Sequence, residues 1–219
     1  MGNDALQQLL NRQPNLKYLK FAIEKAAESI IECYNKGGKV LVCGNGGSSS
    51  DADHIVGELM KSFEIKRPLG AMVQRNLKER FGDPGKLLAE NLQQGLPAIS
   101  LSAHTSLITA VSNDLGCDFI FAQQVTGYGN ADDVLLALST SGNARNVINA
   151  LIAAKAKTMI TIGMTGETGG KMKEFCDILI NVPEKRTAFV QELHLPIYHT
   201  ICLMIEHELF GNEHGINSK

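Results

Sequence analysis

At 219 residues the chain is long enough to bury a full core as one domain and short for two. Its 44% hydrophobic and 20% charged residues are ordinary for a globular protein, and a formal charge of -2 with a pI near 6.3 excludes the basic footprint of a nucleic-acid binder. No apolar run reaches the roughly 18 residues of a membrane span, and the first thirty residues are too polar for a secretory signal. Five scattered cysteines (Cys33, Cys43, Cys117, Cys176 and Cys202) form no C-x-x-C pair. A single cytoplasmic domain over 1–219 with reduced thiols is therefore expected.

In chain order, a helical N-terminal segment leads into a predicted helix over 16–34, whose Leu19, Ile23, Ala26, Ala27, Ile30 and Ile31 form one stripe. Gly37-Gly38 stops it. A first strand is predicted over 39–43, then a helix over 48–63 that starts on Ser48 and carries Asp51 and Asp53 in its first turn. Residues 66–95 break the rhythm, being too long for an ordinary connection. Asp83-Pro84-Gly85 reads there as a turn between two short helices. This stretch carries Lys66, Arg67, Arg75, Lys78, Arg80 and Lys86 against Glu79, Asp83 and Glu90. It is either a solvated helical excursion or a lid or interface arm near an anionic substrate.

Further strands are predicted over 97–101, 134–138, 158–162 and 178–182, with crossover helices over 143–155 and 169–175. The last helix, 187–209, is apolar almost all round, so it must be sandwiched in the core or between subunits. Near-continuous apolar strands alternating with helices predict an α/β fold: a three-layer, doubly wound, five-stranded parallel sheet with a helical insertion at about 66–95.

Two loops at strand ends carry ligand chemistry. C-G-N-G-G-S at 43–48 follows the first strand and opens a helix, where glycines let backbone N–H groups approach an anion or sugar oxygens. It is neither a Walker A loop nor the dinucleotide fingerprint, and a ligand-free tight turn is the competing reading. S-T-S-G-N at 139–143 stands in the same position after another strand, with three hydroxyls ahead of a helix N-terminus. Open α/β sheets bind ligands at the carboxyl ends of their strands, so the two loops together predict a phosphate site.

D-A-D-H-I-V-G-E at 51–58 places His54 and Glu58 four apart on one helix face, fit for a surface pair, the start of a metal site or an acid/base pair. Q-E-L-H-L-P-I-Y-H at 191–199 sets His194 and His199 in an apolar helix, where a buried histidine bonded to backbone is the usual arrangement. His207 and His214 read as surface residues.

G-N-G-G-S, H-x-x-x-E, N-D, S-T-S-G-N and Q-E-x-H-x-x-x-x-H, in this order over about residues 16–210, resemble the sugar isomerase (SIS) domain family and, within it, the phosphoheptose isomerases. The resemblance implies a flavodoxin-like SIS fold and interconversion of sedoheptulose 7-phosphate with D-glycero-D-manno-heptose 7-phosphate, feeding heptose and surface-glycan synthesis. It also implies roles at matching positions. Asn45, Gly46, Gly47 and Ser48 would hold substrate, Ser139, Thr140 and Ser141 its phosphate, and Asn113 and Asp114 would contact it. His54, Glu58, Gln191 and His199 would bind zinc, with Gln191 also facing substrate, and Glu58 and His199 would be the acid/base pair. His194 receives no catalytic role. An enediol route needs one group to remove a carbon-bound proton and another to serve the neighbouring oxygen; Glu58 is the expected base. Zinc would polarise the carbonyl, although one carboxylate serving as ligand and base leaves a structural or transient zinc open.

Gln191 and His199 are eight apart, about 12 Å along a helix axis. Either Gln191 precedes the helix proper, or the site joins two subunits. The resemblance implies a homotetramer with active sites at subunit junctions, so the His199 facing Glu58 is expected from a neighbouring chain. Mixing inactive Glu58→Gln and His199→Ala chains should then restore activity. The sequence departs from the family at Ala144, where many members carry a further serine, at Ala188-Phe189-Val190, and in the 66–95 excursion. Two alternatives stand beside the isomerase: a non-catalytic SIS adaptor of the replication-initiator-associating type, and an isomerase of another phosphorylated ketose. No nucleic-acid or membrane partner is expected.

Overall fold

The predicted apolar runs pair side by side, because each is buried on both faces and can satisfy its backbone only against a neighbouring strand. A computed structural model describes residues 2–211. Strands β1 (Val40–Cys43), β2 (Ala98–Ser100), β3 (Val134–Ser139), β4 (Ile160–Thr165) and β5 (Ile178–Asn181) form one sheet in the order β2-β1-β3-β4-β5. Every pairing is parallel, with Leu41 opposite Ile99 on one side and Leu135 on the other. This is the doubly wound, flavodoxin-like order, and the chain reverses direction across the sheet between β1 and β3.

Side chains alternate between two cores. Val40, Val42, Val134, Leu136 and Leu138 face helices α1 (Gly2–Arg12), α2 (Lys20–Asn35), α3 (Gly47–Met60) and α8 (Thr187–Phe210). Leu41, Cys43, Leu135 and Ala137 face α6 (Ile120–Tyr128) and α7 (Arg145–Ala156). The all-round apolar α8 is sandwiched within this chain, packed on α1, α2 and α3. The N-terminal helical segment is α1, which buries Leu6, Leu9 and Leu10 at helical spacing.

Three details differ from expectation. Residues 169–175 hold a 3-10 turn (Lys171–Phe175) and no α-helix, since Gly169 and Gly170 both take positive φ and leave too few residues for an α-turn ladder. Helices α5 (Thr105–Asp114) and α6 lie in a stretch for which no helix was predicted. Both are short, and β-branched Thr105, Ile108, Thr109 and Val111 blur the helical signal in α5. The excursion is α4 (Ala71–Asn91), two helical pieces as expected, but the break is at Gly82 (φ 57, ψ -133), one residue ahead of Asp83-Pro84. A bridge between Pro68 and Gln93 closes its base.

That base rests on a buried ion pair. Arg67 and Glu206 side chains are wholly buried, with Arg67 Nε and Nη2 both 2.7 Å from Glu206 Oε1. The carboxylate also accepts from the backbone N–H groups of Phe63, Glu64 and Ile65, while Arg67 donates to the carbonyls of Leu59 and Glu58. Burial pushes the Glu206 carboxyl pKa up, but the three N–H bonds and Arg67 outweigh it and hold it below the ordinary value. A carboxyl whose folded pKa is depressed contributes stability above its unfolded pKa and loses it as pH falls through the folded one. Arg67→Met is expected to lower unfolding free energy by about 3–5 kcal/mol, as removal of one buried partner does. Urea titrations will measure this, and Glu206→Gln should flatten the acid side of the stability profile.

Candidate active site

The loops after β1 and β3 flank the switch point, and together they line one cavity of about 310 Å³. Asn45, Gly46, Gly47 and Ser48 come from one side, Ser139, Thr140, Ser141 and Ala144 from the other, with Thr187 and Gln191 of α8 above. The local backbone explains the glycines. Gly46 (φ 57) turns the chain into α3. Gly142 (φ 67) brings the β3 loop so near Gly169 that a Cβ would stand 2.3 Å from its carbonyl oxygen. The N-terminus of α7 opens one residue after Ala144, so its positive dipole end faces a cavity rich in hydroxyls. Asn45 and Asn146 tie the two rims through paired amides at 2.9 Å.

Gln191 lies within α8, so the alternative that it precedes the helix proper is corrected. A Cβ on Gly47 would meet its Nε2 at 2.4 Å, which places the amide over the start of α3. Farther along the same two helices, His54 Nε2 stands 3.2 Å from Glu58 Oε1 and 3.4 Å from His199 Nε2. Thus α3 and α8 run side by side in one direction, with Gln191 near Gly47 and His199 near His54. His54, Glu58 and His199 of a single chain are together; Gln191 is about 12 Å farther back along the helix axis. His199 of the same chain therefore already faces His54, with no neighbouring chain needed to bring it there. The helical register of α3 against α8 already delivers it.

Burial lowers the His199 pKa and His54 lowers it further, while Glu58 opposes both. A second cavity, of about 380 Å³, opens beside His199 between α1 and α8, next to Phe63, Leu195 and Arg12. His194 is buried with Nε2 3.4 Å from the Thr165 carbonyl oxygen, and burial lowers its pKa to about 4, so it is a neutral core residue. Asn113 and Asp114 sit exposed at the end of α5, bonded to each other at 2.8 Å, and line neither cavity. His207 is half-buried on α8, and His214 lies outside the described residues.

Sequence reasoning missed Tyr198 and left Asp51 as a helix-dipole residue. Tyr198 bonds both Asp51 and His54. The i, i+3 spacing of Asp51 and His54 was the available signal; nothing in the sequence tied Tyr198 to either.

Comparison with known proteins agrees with this fold. The profile described as SIS domain matches residues 6–78 and 77–166. The phosphoheptose isomerase of Burkholderia pseudomallei is 40% identical over 191 residues, 87% of this chain and 84% of that one. The chain belongs to the SIS-domain phosphoheptose isomerase family. Another such isomerase, from Laribacter hongkongensis, is 38% identical over 95% of this chain and 94% of its own. Solved phosphoheptose isomerases from Neisseria gonorrhoeae and Francisella tularensis share the family fold, each with a TM-score of 0.72. They are 35% and 32% identical and cover 91% and 94% of this chain, and 94% and 96% of their own. These likenesses do not favour the adaptor alternative.

Two outcomes follow. With Glu58 and His199 in one chain, mixing Glu58→Gln and His199→Ala subunits should restore no activity, and recovered turnover in hybrid assemblies would put the pair back across an interface. Restoring a hydroxyl with Ala144→Ser should tighten inorganic phosphate binding about fivefold, the effect of one added hydrogen bond of about 1 kcal/mol. Calorimetric titration will read it.

Proposed function

We propose that this chain interconverts sedoheptulose 7-phosphate and D-glycero-D-manno-heptose 7-phosphate. The observation that carries this reading is the placement, along two parallel helices, of a hydroxyl-lined anion cavity and a Glu/His/His cluster about 12 Å apart along the axis. A long, extended sugar phosphate suits that span, with its phosphate among Ser139, Thr140, Ser141 and the α7 N-terminus and its carbonyl end at Glu58 and His199. Asn45, Gly46, Gly47, Ser48 and Gln191 would hold the polyol between.

Glu58 takes the proton from the hydroxyl-bearing carbon beside the carbonyl. The C–H electron pair becomes the C=C bond of an enediol, and the former carbonyl oxygen gains a proton at His199. Return of a proton to the other carbon, with loss of one from its neighbour's hydroxyl, completes the transfer of the carbonyl. Atoms and electrons balance without an external oxidant. Positioned acid/base groups of this kind contribute about 10²–10⁴ in rate.

The donor set is compatible with zinc. The two separations of 3.2 and 3.4 Å at His54 Nε2 are close to the edge of about 3.3–3.4 Å that a tetrahedral ion with 2.0–2.1 Å bonds requires. Against this, no group of three or more His, Cys, Asp or Glu side chains is assembled round one metal-sized point among the described residues. In this reading His54, Glu58 and His199 would hold the ion and it would polarise the carbonyl oxygen, while Gln191, set against Gly47 at the anion cavity, stands apart from them.

The reading extends to a homotetramer. Uncovered Met72, Phe81 and Leu87 on α4, with Leu92 just beyond its end, support association between copies. A cytoplasmic setting is supported by free Cys33, Cys43 and Cys202 buried in the chain, with burial raising the Cys43 and Cys202 thiols to about 12. No helix among the described residues is long and apolar enough to cross a membrane. The product then enters heptose and surface-glycan synthesis.

Purified protein incubated with sedoheptulose 7-phosphate should form aldose, and chelator followed by zinc should report on the metal. Turnover of other ketose phosphates without the heptulose would overturn the substrate assignment.

A further inference from the structure

The rim of the anion cavity holds one contact that neither the phosphate seat nor the acid/base pair uses. Asn45 Nδ2 donates to Asn146 Oδ1 and Asn146 Nδ2 donates back to Asn45 Oδ1, each at 2.9 Å, although the two residues lie 101 positions apart. Asn45 lines the cavity, whereas Asn146, the second residue of α7, does not. The Asn146 amide is committed to the β1 loop, and α7 starts without a side-chain cap, so its first N–H groups stay available to an anion.

A primary amide carries two N–H donors and an oxygen with two lone pairs. The reciprocal pair takes one donor and one lone pair from each partner. Asn45 therefore keeps one N–H and one lone pair for a ligand. A sugar hydroxyl can serve either, since it both donates and accepts; an ionised phosphate oxygen serves only the N–H. The terminal torsion of a free asparagine is broad and nearly two-fold, so Asn45 alone on a Gly-rich loop would present these groups either way round. Paired, it does not turn by itself. A half-turn of one amide sets oxygen against oxygen and N–H against N–H, and both hydrogen bonds are lost.

We infer that Asn146 is a positioning residue that fixes the Asn45 amide for the hydroxyls of the sugar, so that this rim reads the polyol and not the phosphate. Asn146 touches no substrate group in this arrangement and acts only through Asn45. The pair also ties the loop after β1 to the start of α7, which are opposite walls of the cavity at the switch point of the sheet. This role rests on the ligand's being a sugar phosphate, as in the proposed function, and not on its turnover.

Calorimetric titration of the full-length protein compares sedoheptulose 7-phosphate with inorganic phosphate, in a Glu58→Gln background that leaves bound sugar unconverted. Asn146→Ala should weaken sugar phosphate binding about five- to tenfold, the worth of one hydrogen bond. Inorganic phosphate should change by less than about twofold, which also reports a folded cavity. Asn45→Ala should weaken the sugar phosphate at least as much, and adding Asn146→Ala to it should cost less than about a further twofold, as expected for a residue that works only through its neighbour. With Glu58 in place, Asn146→Ala should raise KM about five- to tenfold and leave kcat within about twofold. Equal losses for the two ligands, additive losses in the double variant, or a sugar phosphate affinity untouched by Asn146→Ala would each overturn the inference. So would a Glu58→Gln parent that binds the sugar phosphate no more tightly than inorganic phosphate. The expected binding pattern in a protein that, with Glu58 restored, converts no ketose phosphate would defeat the isomerase reading alone.

Discussion

The Arg67–Glu206 pair is the constraint on which the site depends. A guanidinium buried against one carboxylate could not persist unless its remaining donors and the remaining lone pairs found partners. Here the partners are the carbonyls at the end of α3 and three successive N–H groups of the chain leaving it. Glu206 stands seven residues beyond His199 on α8, and Arg67 holds the carbonyl of Glu58 itself. One buried pair thus fixes the end of α3 against α8, and with it the distance from Glu58 to His199.

From that anchor the two helices run in parallel back to the sheet. Their far ends meet where Gln191 lies over Gly47, at the mouth of the cavity between β1 and β3. The α3/α8 pair therefore works as a rigid spacer between an anion site at the switch point and an acid/base site two turns farther on. Rigidity is useful there, since proton transfer demands reacting groups held to a fraction of an ångström. The same packing explains why α8 carries apolar residues on nearly every face: α1, α2 and α3 cover it within the chain.

Legibility differed from residue to residue. The Gly-rich and Ser-rich loops were readable because a turn that bares N–H groups needs small residues and hydroxyls at fixed places after a strand. His54 and Glu58 were readable as a pair by their spacing, and as a working pair through the family motifs. Arg67 was read only as one of several charges on a basic excursion, because nothing local distinguishes a lysine or arginine that will be buried from one that will be solvated. Its partner is 139 residues away. Tyr198 was hidden for the same reason, its bonds to Asp51 and His54 spanning 147 and 144 positions. The two helices α5 and α6 were hidden by weak local signals.

The sequence by itself determined the class of fold, the strand-end position of both ligand loops and the helix face shared by His54 and Glu58, since periods of two and 3.6 residues are local properties of the chain. Tertiary structure decided that His199 meets His54 within one chain, that Gln191 lines the anion cavity, and that Asn113 and Asp114 line neither cavity. Those are facts about the register of one helix on another and about desolvation of paired charges. Both arise only when distant segments pack, so no window of sequence contains them.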